Sequence, residues 1–192
     1  MMKFSDFADC KGYLEIYKAY PDGETTCVYA DHNVICSGMG VTLAELFNAS
    51  AGSTIADYKI DLFQVGVSGN SARQVSGTGN LGSPLGTSGY VGGSLDVRLQ
   101  SLMASGLTFT DKAFGTISPA FIKKTAPRRV QFHIVLDENV ANDADGINEI
   151  GLFSRNPVRA TTPAAVLCAY RYFPTITKST SFALVFKWTI EF

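Results

Sequence analysis

Gly77-Thr78-Gly79-Asn80-Leu81-Gly82 spells GxGxxG. In a dinucleotide site such glycines stand between a strand and a helix, whose N-terminus holds the pyrophosphate. Here Ser83-Pro84 and further glycines follow, a composition that starts no helix, so the stretch reads as a loop. Asp143-Ala144-Asp145-Gly146 matches part of a calcium loop, but the opening ligand would be Ala141 and the closing one Leu152. Neither side chain offers oxygen, which removes the EF-hand. A looser ion site from Asp137, Asp143 and Asp145 stands against the plainer reading of a solvated turn.

The remaining chemistry-bearing residues are scattered. His32 and His133 lie far apart, and no GxSxG nucleophile elbow occurs. Glu15, Glu45, Asp96 and Glu149 show no pairing of the kind a glycoside hydrolase needs. Cys10, Cys27, Cys36 and Cys168 form no CxxC pair and match no zinc spacing, so they read as buried small hydrophobes. Lys123-Lys124 and Arg128-Arg129 make a basic cluster. It reads as a solvated strand start, with contact to an acidic neighbouring subunit as the alternative. The sequence therefore assigns no catalytic, cofactor-binding or metal-ligating residue, and the expectation is a protein that is not an enzyme and needs no cofactor.

The elements around these residues are mostly strands. Gly12–Lys18 alternates polar and apolar, Pro21-Asp22-Gly23 is turn chemistry, and Thr26–Ala30 returns, which predicts a hairpin. Asn33–Cys36 reads as a short extended piece. Thr42 and Glu45 fit a capping box, and Leu43, Leu46 and Phe47 then share a face, predicting one short helix near residues 42–49. Ile60–Val67 reads as a strand buried on both faces. The Gly- and Ser-rich stretch 68–94 reads as a long loop. Leu95–Met103 alternates, and Leu107–Thr110 is set beside it. Val130–Leu136 alternates again, and Ile147–Ser154 with Ala165–Phe173 forms a long hairpin that Pro174 ends.

The final strand, FALVFKWTIEF, sets Phe182, Leu184, Phe186, Trp188, Ile190 and Phe192 on one face. Such a face must be covered, first by the chain's own core and alternatively by another subunit. Many short strands with one helix predict an all-β, mainly antiparallel fold, a β-sandwich or barrel-like domain spanning 1–192. An N-terminal arm is expected at 1–11.

Composition limits partners. A formal net charge of -1 gives no basic excess for phosphate, so no nucleic acid is expected. No apolar run is long enough to span a membrane as a helix, and Asp6 and Asp9 interrupt any signal-peptide core. Charged residues make up only 17%, a surface poor in charge that suits coverage by other chains.

Gly146-Ile147-Asn148-Glu149-Ile150-Gly151-Leu152-Phe153, then Tyr170-Arg171-Tyr172-Phe173-Pro174, Ile176-Thr177-Lys178, Phe182 and Trp188-Thr189-Ile190, resemble a recurrent pattern of tailed-bacteriophage virion structural proteins. His32-Asn33-Val34-Ile35 and Phe63-Gln64-Val65-Gly66 are similar to the opening of the same group. The resemblance runs from about Gly12 to Phe192. It implies a non-enzymatic component of the neck or collar, baseplate or fibre attachment, located in the virion and assembled in the host cytoplasm. It also implies that the partners are other virion proteins and copies of the chain itself, in a ring or trimer. The rival expectation is a receptor- or carbohydrate-binding tail-fibre domain, for which Tyr13, Tyr17 and Tyr90 are the candidate aromatics.

Overall fold

The computed structural model describes residues 10–48, 54–66, 115–142, 146–155, 157 and 165–192. The 68–94 stretch, the segments at 95–103 and 107–110, Tyr90, Asp96, Asp143, Asp145 and most of the N-terminal arm lie outside them. Among the described residues there are nine strands: β1 (Lys11–Ala19), β2 (Thr25–Ile35), β3 (Ile60–Gly66), β4 (Gly115–Thr116), β5 (Ile122–Ala126), β6 (Arg129–Leu136), β7 (Ile147–Ser154), β8 (Val166–Ile176) and β9 (Ala183–Glu191). Two helices, α1 (Ser37–Phe47) and α2 (Ile55–Tyr58), connect β2 to β3.

The strand order is β4-β3-β7-β8-β2-β1-β9-β6-β5, and every pairing is antiparallel. β2 belongs to two sheets. Its residues Thr25–Asn33 pair with β1, whereas Val34 and Ile35 pair with β8. The first sheet is thus β5-β6-β9-β1-β2 and the second β2-β8-β7-β3-β4. On the opposite side the chain from Gly115 to Ala126 passes from β3 to β6. The fold is sandwich-like, and the order of described strands does not close into a barrel.

The core forms where the two inner faces meet. Leu14 and Ile16 of β1, Phe132, Ile134 and Leu136 of β6, and Leu184, Phe186, Trp188 and Ile190 of β9 pack with Phe63, Val65, Ile150, Leu152 and Phe173 from the second sheet. The period of two in β9 puts all four of its large side chains at 0% exposure. β9 lies between β1 and β6, so the last strand of the chain is an interior one. Its apolar face is covered by the chain's own core, each such side chain contributing about 1.5–3 kcal/mol. The Trp188 indole N–H is buried without an acceptor, a desolvation cost that the packing around it offsets. β3 is buried on both faces as expected, with Phe63 and Val65 in this core and Leu62 in a second cluster with Phe153, Leu167 and Tyr170.

The β1–β2 hairpin turns where Pro21-Asp22-Gly23 places it. Gly23 has φ +90°, and the Gly23 and Tyr20 amides donate to Tyr20 O and Glu24 O, each at 2.9 Å.

Four local expectations are corrected. Thr42 and Glu45 do not cap a helix. α1 starts five residues earlier at Ser37, and Thr42 sits mid-helix, buried, donating from Oγ1 to Gly38 O at 2.8 Å. The glycines of Ser37-Gly38-Met39-Gly40 disguise the start. A Cβ on Gly38 would stand 2.1 Å from Leu167 O, so glycine lets the helix backbone lie against β8. The capping box is at α2, where Asp57 Oδ2 accepts from the Thr54 amide at 3.1 Å and from its hydroxyl at 2.9 Å. Pro174 does not end β8 but sits in an irregularity where pairing slips from Ile147↔Ile176 to Glu149↔Tyr172. At such a slip a missing N–H costs no ladder bond. Finally, Cys10 and Lys11 belong to the folded body and not to an arm, since Lys11 pairs with Glu191 and Cys10 packs on the core.

Candidate functional site

The outer face of the first sheet carries the polar phase of its strands in cross-strand rows. Lys11 lies opposite Glu191, itself opposite Arg129. Tyr13, Thr189 and Gln131 form the next row, and Glu15, Lys187 and His133 the one after. Ion pairs join Arg129 to Glu191 at 2.8 Å and Lys187 to Glu15 at 2.9 Å. The Gln131 amide donates to Thr189 Oγ1 at 3.2 Å, and its Oε1 lies 2.9 Å from His133 Nε2. Tyr13 meets His32 edge-on with ring centroids 5.4 Å apart. A shallow groove of about 470 Å³ runs over these rows.

Its electrostatics follow from the pairing. Burial raises the Glu15 carboxyl, but hydrogen bonds from Tyr17 and Lys187 and the Lys187 charge outweigh it, leaving Glu15 below the usual range. Tyr17 donates to Glu15 Oε1 at 2.6 Å, which pushes its phenol up to about 12. Burial, helped by the charges of Lys123 and Lys187 and opposed by Glu15, holds His133 below an ordinary histidine.

A second recess of about 480 Å³ opens beside β6, under the chain running from Gly115 to Phe121. Both the inward-facing Ile134 and Leu136 and the outward-facing His133 and Val135 line it, together with Phe63, Ile117, Phe121 and Val140. A recess that touches both faces of one strand lies along that strand's edge. β5 pairs with β6 only as far as Phe132, so, among the described residues, 133–136 have no ladder partner on that side.

The residues of the resembling pattern hold strands together. Tyr170 donates to Glu149 Oε2 at 2.9 Å across β7 and β8, both buried. Arg171 spreads over the bend of β2, donating to Tyr29 OH and His32 O and pairing with Asp31 Oδ2 at 2.6 Å. Lys178 Nζ is received by Asp137 O at 2.6 Å, Glu138 O at 3.0 Å and Asn142 Oδ1 at 3.0 Å. This lysine ties the β8–β9 connection to the loop after β6.

The sequence candidates separate. Glu15 is on the outer face of the first sheet, Glu45 on α1, and Glu149 is enclosed in the second sheet, so no carboxylate pair forms among them. Tyr13 and Tyr17 do share one face. Arg128 and Arg129 bind the chain's own last residues, Phe192 O and Glu191, and Lys123 and Lys124 lie exposed on edge strand β5. Cys36 and Cys168 are buried and their thiols pushed up by that burial, whereas Cys27 is exposed, against the expectation. All four thiols are free.

Sequence reasoning missed a buried carboxylate. Asp61 accepts both arms of Arg155 at 2.8 and 3.1 Å, with Lys59 Nζ at 3.1 Å. The signal was present: a lone aspartate inside the doubly buried IDLFQVG strand requires cations nearby. Among the described residues no group of three or more His, Cys, Asp or Glu is placed to hold a metal ion, and no helix is long and apolar enough to cross a membrane. Comparison of the chain with protein-family models, with curated proteins and with solved structures finds no match.

Proposed function

We propose that the chain is a non-enzymatic structural component of a tailed-phage virion, assembling through subunit interfaces in the neck or collar or in the tail. The observation that carries this reading is the work done by the residues of the resembling pattern. Glu149, Arg171 and Lys178 each clamp one strand or loop to another, and Trp188 fills the core. Polar residues spent on architecture suit a building block. Exposed Phe47, Ile55, Phe121 and Val135 add apolar surface available to neighbours. The partners are other virion proteins and further copies of the chain, in a ring or trimer.

Deleting the gene from its phage tests the proposal. Electron microscopy should find particles arrested before neck or tail completion. Complete, infectious particles from the deletion strain would overturn it.

A second reading, a receptor- or carbohydrate-binding domain, is favoured by Tyr13 beside His32 on the grooved polar face. A glycan array probed with the full chain should then give hits that Tyr13→Ala abolishes, and an array without hits removes this reading.

A further inference from the structure

We propose that the chain associates head to tail, the apolar knob of Phe47 and Ile55 on one copy entering the recess beside β6 on the next. The inference rests on the assembly reading and names its interface. Phe47, at the end of α1, is 86% exposed, and Ile55, at the start of α2, is 83% exposed. They are the most exposed large apolar side chains among the described residues, and α1 packs against α2. The recess offers the complement: about 480 Å³, apolar walls, and the half-exposed rims Phe121 and Val135.

Knob and recess share no residue, so the contact is heterologous, and copies joined this way close into a ring if the rotation permits. Charge agrees with the match. Glu45 and Asp57 flank the knob on α1 and α2. Lys123 and Lys124 follow Phe121 along β5, and Asp137 is the one acidic group among the described lining residues. Opposite charges at the rims fix register and steer encounter.

Sedimentation velocity of the full chain provides the test. Wild type should sediment as an oligomer. Phe47→Asp removes the knob, and Phe121→Asp or Val135→Asp gives the recess the knob's own charge. Each variant alone should be a monomer, its association weakened roughly 30-fold or more. Unchanged Trp188 emission certifies the fold, and Val135→Asp stands in if Phe121→Asp fails that check. An equimolar mixture of Phe47→Asp and Val135→Asp keeps one good knob and one good recess, and should stop at a 1:1 dimer. A monomeric wild type, or a mixture that forms no dimer, overturns the proposal. An oligomer indifferent to all three substitutions overturns it too, while leaving the assembly reading in place.

Discussion

The phenol of Tyr170 donates to Glu149 Oε2 at 2.9 Å with both residues at 0% exposure, joining the two central strands of the second sheet. A hydrogen bond to a buried carboxylate is among the stronger ones a side chain makes. Tyr170→Phe should therefore cost about 1–3 kcal/mol. The check is urea unfolding, where the midpoint should fall with no change in slope.

Arg171 holds the bend at which β2 leaves one sheet for the other, through Tyr29, His32 O and Asp31. A lysine keeps the charge but loses the planar fork. Arg171→Lys should lower stability by about 1–3 kcal/mol, and amide exchange at Val34 and Ile35 should quicken first. Protection there equal to wild type would show that the bend holds without the fork.

Ala141 has φ 59°, a left-handed backbone conformation that its Cβ disfavours, in the loop that receives Lys178. Ala141→Gly relieves about 1–2 kcal/mol of strain but adds about 0.5–1 kcal/mol of unfolded-chain entropy and removes a buried methyl worth about 0.8 kcal/mol, so stability should stay within about 1 kcal/mol of wild type. Thermal unfolding measures it as a small shift in Tm, and a large shift either way would contradict it.

The Tyr17 phenol is pushed up to about 12 because it donates a hydrogen bond to Glu15, with burial, the Glu15 charge and the neighbouring Cys27 and Tyr13 adding to the shift. A folded value above the unfolded one means that this contribution to stability is complete below about pH 10 and is lost as pH rises through about 12. Glu15→Gln should bring the phenol back toward an ordinary tyrosine, followed by NMR of the ring carbon bearing the hydroxyl. A phenol unmoved by that substitution would assign the shift to burial.

Periodicity carried most of the fold. The alternation in β1, β6 and β9 fixed which side chains turn inward, and the burial of Trp188 and its neighbours follows it. Local chemistry carried less. Thr42 and Glu45 have capping-box spacing, but Gly38 lets the helix begin earlier because β8 lies against its backbone. Pro174 would end an ordinary strand, and a slip in pairing accommodates it. The partners in the clamps were hidden for a different reason. Asp61 and Arg155 are 94 residues apart, and Arg171 and Asp31 are 140 apart. Only the sheet order brings such partners together, and a chain read from end to end does not reveal it. The recess beside β6 depends likewise on where β5 stops pairing.

Quantitative mass spectrometry of purified phage particles tests the structural role most directly. The account predicts that the chain is present in a fixed number of copies per particle, matching a symmetric ring or trimer. Particles of full infectivity without the chain would contradict it.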